Sequence, residues 1–204
     1  MDLDLNRTAL ILVGYQNDYF ASDGILRGVI EEADRTQGIL NNTLRLVEAL
    51  KGTQATLVQT PIIFTDDYSE LINPVGILKT IVDVKAFQAG SPGSDTIPQF
   101  KEYGTRIKTV PGKRGLNAFS NTDLHEVLQS NRVNHVVLAG AVTSICIDST
   151  GRAAHERGYR VSVLSDATAS RTPYEQEFYC ENVFPLYADV VTSDALLEAA
   201  NGSA

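Results

Sequence analysis

The sequence predicts an α/β fold built on a parallel sheet with helices on both faces. Three observations carry the prediction. Apolar strand-like runs alternate with helix-like stretches along the chain, the first run is apolar without interruption, and 204 residues suffice to bury one full core. Strands covered on both faces read as continuous apolar runs, and parallel neighbours need a crossover connection, so runs and alternation point the same way. No composition shift or linker divides the chain, which is read as a single domain over residues 1–204.

Thr8 to Val13 (TALILV) suits a central strand and ends at Gly14. The YQNDYF that comes next lies at its carboxyl edge, where open α/β sheets bind ligands, so Tyr15, Gln16, Asp18 and Phe20 are placed near a site. From Glu31 to Lys51 the positions Ile39, Leu40, Leu44, Val47 and Leu50 recur at helical spacing, and Gly52 is the stop. Ala55 to Phe64 reads as a second strand region interrupted by Pro61, which lacks a ladder donor. Ile77 to Phe87 has a helical pattern, and the turn-rich GSPGSD comes after it. Arg106 to Val110 is a weak third strand, and Asp123 to Leu128 a short helix with Thr122 or Asn121 as cap. Val136 to Ala139 forms a fourth strand that breaks at Gly140, after which Cys146 opens a helix ending at Gly158. Tyr159 to Leu164 is a fifth strand ending at Ser165 and Asp166, with Asp166 the candidate cap of the next helix. Pro173 to Phe184 fits a helix, Ala188 to Thr192 a sixth strand, and Ser193 to Ala200 a closing helix.

The net charge of −8, with scattered Lys and Arg, argues against nucleic acid or an anionic membrane as partner. No apolar stretch approaches the roughly 20 residues that span a bilayer, and the first residues lack a signal pattern, so a cytoplasmic protein acting on a small molecule is expected. Cys146 and Cys180 give no disulfide framework, and His125, His135 and His155 lie far apart. Their spacing shows no zinc site, and no cofactor is expected.

Cys146 is the chemical focus. Unpaired N–H groups and the dipole at a helix start stabilise a thiolate, which makes Cys146 a candidate nucleophile; the competing reading is a buried structural cysteine.

TALILVGYQNDYF, GKRGLNAF from Gly112, AGAVTSICIDSTGRAAHERGY from Ala139 and VSVLSDATAS from Val161 together resemble the isochorismatase-like cysteine hydrolases over nearly the whole chain. The resemblance implies a Rossmann-like, three-layer α/β/α fold with a six-stranded parallel sheet, a homo-oligomer, and amide hydrolysis by a cysteine with an aspartate and a lysine. Isochorismatase itself cleaves a vinyl ether. It maps the nucleophile onto Cys146, through Gly140 and Thr143, and the lysine onto Lys113, through Ala118 and Phe119. An ammonium beside the thiol favours thiolate and helps hold charge at the reacting centre. It further implies a non-proline cis peptide joining Ala141 to Val142, and an oxyanion hole formed by the N–H groups of Val142 and Cys146.

One position departs. The family's Asp-x-Gln-x-Asp-Phe has its catalytic aspartate first, and Gly14 stands there in this chain. The second acid is kept as Asp18. Three readings are open: a hydrolase in which Asp18 or another acid moves the proton, a non-hydrolytic binding or regulatory protein, or altered chemistry at Cys146. Nicotinamidases of the family carry a metal-binding Asp-x-His after strand two. The corresponding Thr65-Asp66-Asp67-Tyr68 has no histidine, so a metal-independent branch is expected and nicotinamide is disfavoured. Tyr15, Phe20, Phe119 and Ile145 are candidates to line a small pocket, with Arg114 or Arg171 to meet a carboxylate.

Overall fold

The computed structural model describes residues 3–202. Six strands, β1 (Thr8–Val13), β2 (Thr56–Thr60), β3 (Ile107–Thr109), β4 (His135–Ala141), β5 (Arg160–Ala169) and β6 (Asp189–Val191), form one all-parallel sheet ordered β3-β2-β1-β4-β5-β6. The helices are α1 (Asn17–Phe20), α2 (Ala33–Leu50), α3 (Gly76–Val84), α4 (Pro98–Lys101), α5 (Leu124–Ser130), α6 (Asp148–Glu156), α7 (Pro173–Phe178) and α8 (Ser193–Gly202). The sheet is the expected six-stranded parallel one, with a layer of helices on each face.

Side chains alternate along a strand, so β1 sends Leu10 and Leu12 to one face and Ala9, Ile11 and Val13 to the other. Ile39, Leu46 and Val47 of α2 and Leu196 of α8 close the first core; Leu124 and Leu128 of α5 and Ala153 and Ala154 of α6 close the second. Each fully buried Leu, Ile or Val contributes about 1.5–3 kcal/mol, so packing rather than propensity holds a helix as short as α5.

The chain fills the sheet outward from β1 in one direction and then from β4 in the other, which puts the topological switch point between these two strands. Their carboxyl ends define the crevice where such sheets bind ligands. The two backbones are close there. Val13 pairs with Gly140, whose φ is 126°, and a Cβ at position 140 would lie 1.9 Å from the Val13 carbonyl oxygen. Only glycine fits.

The elements differ from expectation where tertiary structure overrides local pattern. β5 does not stop at Leu164. Its register against β4 shifts between Leu138 and Gly140, and the extra residues let it resume at Thr168 and Ala169. Asp166, in this irregular stretch, caps α8 rather than the next helix: its carboxylate accepts from Ser193 N (2.8 Å) and Ser193 Oγ (2.6 Å). The helix expected to begin at Cys146 instead starts as a π-helical turn over Thr143–Ile147 and becomes α-helical only at Asp148. α3 ends at Val84 because Lys85 turns left-handed (φ 59°), and the helix from Pro173 passes into a π turn at Tyr179. No helix among the described residues is long and apolar enough to cross a membrane.

His135, at the start of β4, is buried with Nε2 2.8 Å from Ser162 Oγ. Burial, aided by the Arg160 charge and opposed by Asp189, pushes its pKa down to about 4. The unfolded chain takes up this proton near pH 6.5, so between about pH 6.5 and 4 the unfolded state binds more protons and stability falls on acidification. The expected loss is about 1–3 kcal/mol over that window. Denaturant titrations at several pH values should show a shallower decline in His135→Asn; identical declines would contradict this assignment.

Candidate active site

The site is assembled at the β1/β4 switch point from three segments. β4 ends at Ala141, the Ala141–Val142 peptide is cis as the family resemblance implies, and the π turn then swings Cys146 back over the strand ends. The Val142 carbonyl accepts from both Ile145 N (3.1 Å) and Ile147 N (3.2 Å), which fixes the turn from inside. Cys146 is 5% exposed. Lys113 arrives from the loop after β3, where Gly112 adopts φ 104° and Lys113 forms a parallel bridge with Ile62 beyond the end of β2.

Lys113 has no exposed surface, and its Nζ is 3.6 Å from Cys146 Sγ while also donating to the Gly115 carbonyl. Burial lowers its pKa, and the attraction of an ionised Cys146 works in the opposite direction. Among the described residues no carboxylate oxygen lies within 4.0 Å of Lys113 Nζ. The two residues matched most directly by motif are therefore brought into contact.

Among the described residues Asp18 makes no ion pair with Lys113. Its Oδ2 accepts from Phe87 N at 2.7 Å, and its carboxylate packs so tightly on Gly93 that a Cβ there would lie 2.0 Å from Oδ1. Burial raises its pKa, partly offset by the Phe87 N–H bond. Gly14, at the family's aspartate position, has φ 78°, and a Cβ on it would meet the Ala141 carbonyl oxygen at 2.8 Å and Tyr19 Cδ2 at 3.5 Å. The buried Tyr19 ring thus stands beside the place from which an acid would project. Burial raises the Tyr19 pKa, with ionised Cys146 and then Asp18 adding to the effect.

The four residues expected to line a pocket divide. Tyr15 is buried in the core against α2, with its hydroxyl hydrogen-bonded to Thr43 and its ring stacked on Phe20 at 4.7 Å. Phe20, with Asp18 and Ile97, lines a cleft of about 560 Å³. Phe119 is buried in the other core, under the Arg157 guanidinium at 4.9 Å. Ile145, next to the thiol, is half-buried. Arg114 and Arg171 are each met by an acid, Glu70 at 3.4 Å and Glu175 at 3.0 Å. Among the described residues no group of three or more His, Cys, Asp or Glu side chains could hold a metal ion.

Two glutamines do more than their sequence positions indicate. Gln16 donates to the carbonyls of Ile62 and Ser94 (both 2.7 Å) and accepts from Ile62 N (2.9 Å), clamping the residue that bridges to Lys113. Gln176 accepts from Thr143 Oγ1 at 2.7 Å and so holds, from α7, the π turn that carries Cys146. A strand-end position is enough to place Gln16 near the site; nothing in the local pattern singles out Gln176.

The all-parallel six-stranded sheet and the cysteine–lysine contact at its switch point agree with what the resemblance to the isochorismatase-like cysteine hydrolases implies. The Isochorismatase domain model matches residues 8–195, and the chain belongs to that family. An uncharacterized isochorismatase family protein of Bacillus subtilis is 26% identical, over 94% of this chain and 99% of its own. A ureidoacrylate amidohydrolase of Cronobacter turicensis is 28% identical over 95% and 90%. The crystal structure of a cysteine hydrolase from Pseudomonas syringae pv. phaseolicola superposes with a TM-score of 0.88 at 21% identity, covering 100% of this chain and 97% of that one.

The backbone at Gly14 yields a direct test. Gly14→Ala should cost about 1–3 kcal/mol, because a side chain there combines left-handed backbone with a clash against a carbonyl. A thermal melt should fall by several degrees. A melt equal to wild type would show that the position is not closed.

Proposed function

We propose that the protein is a cysteine-dependent hydrolase of C–N bonds in small amides. The observation that carries this reading is the 3.6 Å contact between Cys146 Sγ and a wholly buried Lys113 Nζ at the switch point of the sheet. A lysine is seldom buried unless its amine has a task or a partner, and here its side-chain partner is a thiol. The names of relatives, a ureidoacrylate amidohydrolase and a nicotinamidase, are consistent with an amide substrate.

In this reading the Cys146 thiolate attacks the amide carbonyl carbon, the carbonyl oxygen takes the electron pair, and the N–H groups of Val142 and Cys146 receive the oxyanion. Collapse breaks the C–N bond, the amine leaves with a proton, and water then releases the acyl group from sulfur. Ile145 flanks the thiol and contributes apolar surface to the substrate side. A substrate carboxylate would compete with Glu70 for Arg114, so an acidic substrate has to displace that ion pair. The alternative, a binding or regulatory protein, draws on Gly14 alone.

Ammonia release from a panel of ureido acids, carbamoyl amino acids and maleamate-like amides tests the reading. At least one should turn over, and Cys146→Ala should reduce that turnover by about a thousand-fold or more while melting as a folded protein. Saturable binding across the panel without product would favour the alternative, and undiminished turnover in Cys146→Ala would overturn cysteine catalysis.

A further inference from the structure

We propose that Lys113 itself is the base: as a neutral amine it takes the proton of the Cys146 thiol, so that a cysteine–lysine dyad works without a carboxylate. The substrate steps of this proposal rest on the hydrolase reading above; the proton step rests on the burial of Lys113 and its contact with Cys146.

Two placements remove the acid. Position 14 is closed to a side chain by its left-handed backbone and by the Ala141 carbonyl oxygen, which would lie 2.8 Å from a Cβ, with the Tyr19 ring alongside. The Tyr19 ring lies beside Gly14, its Cδ2 3.5 Å from where a Cβ would stand. Asp18, the surviving acid, is committed to Phe87 N and pressed on Gly93.

These placements change the ground state of Lys113. Taking an ammonium out of water costs several kcal/mol unless a counter-charge is near. A carboxylate in contact would supply one and keep the lysine charged. Among the described residues none lies within 4.0 Å of Nζ, and its polar contacts are the Gly115 carbonyl and Cys146 Sγ. Burial accordingly favours the neutral amine, and the charge that restores the ammonium is the thiolate it would create by accepting the proton.

The proton balance closes. The Cys146 S–H proton passes to the Nζ lone pair, giving thiolate and ammonium in contact. The thiolate forms the C–S bond, the tetrahedral oxyanion collapses, and the C–N bond breaks as Lys113 returns the proton to the leaving nitrogen. Water then gives a proton to the again neutral Lys113 and its oxygen adds to the thioester carbonyl; the C–S bond breaks and sulfur regains its proton from Lys113. Nothing beyond water is consumed.

Iodoacetamide tests the proton step without any substrate, so this proposal and the hydrolase reading fail separately. The rate of Cys146 alkylation is followed by intact mass from pH 5 to 10, in a Cys180→Ser background that removes the second thiol. Wild type should show two inflections, because Lys113 gives up its own proton within the range. Lys113→Arg, whose guanidinium stays charged, should show one, and Lys113→Met should react at least about ten-fold more slowly near pH 7.5. A wild-type profile with a single inflection, superimposable on that of Lys113→Arg, would mean that Lys113 remains an ammonium throughout and would overturn the proposal. The number of inflections in wild type decides this even if a variant fails to fold.

Discussion

The contact between a buried amine and a buried thiol is the constraint around which the structure is arranged. An unpaired ammonium in an apolar interior costs several kcal/mol, and an unassisted thiol near pKa 8.5 is only a few per cent ionised at neutral pH. Set 3.6 Å apart, each supplies what the other lacks. The rest of the site serves to keep that distance. Gln16 clamps Ile62, Ile62 bridges to Lys113, and Gln176 reaches from α7 to the Thr143 hydroxyl at the start of the turn that carries Cys146. Each of these side chains spans segments far apart in sequence, and each satisfies buried polar groups that would otherwise be a cost.

The sheet makes this convergence possible. Because the strand order reverses between β1 and β4, the segments leaving their carboxyl ends part to opposite sides and leave a crevice. Gly140 lets the β4 backbone come up against Val13, and the chain then passes through the cis peptide after Ala141 into the π turn that carries Cys146. Gly14 has the reciprocal effect. It presents a bare backbone to the Ala141 carbonyl, where a Cβ would lie 2.8 Å from the oxygen.

Much of this is legible in the sequence. The strands β1 and β4 are continuous apolar runs, and such runs in a chain of alternating elements leave little room for another fold. The family resemblance singles out both Cys146 and Lys113, 33 residues apart, and the structure brings them into contact at 3.6 Å. Contacts between distant segments are what the sequence does not reveal. The polar Ser165–Asp166 step looks like a strand end, yet β5 continues because β4 offers it partners beyond a bulge, and Asp166 caps a helix 27 residues on. Tyr15 and Asp18 sit at a strand's carboxyl edge as expected, but Tyr15 is drawn into the core by Thr43 and Phe20, and Asp18 by Phe87 and Gly93. Strand-end position fixes the neighbourhood of a side chain, and its hydrogen-bond partners decide which way it faces.

The central claim is that carbon–sulfur bond formation at Cys146 lies on the path to product. It is tested most directly by acid-quenching a turning-over reaction within milliseconds and measuring the intact mass of the protein. The account predicts a protein heavier by the acyl group of the substrate, with the added mass on the peptide that holds Cys146 and absent from Cys146→Ala. Rapid product formation with the protein mass unchanged at every quench time, including in a variant slowed in the hydrolytic step, would contradict it.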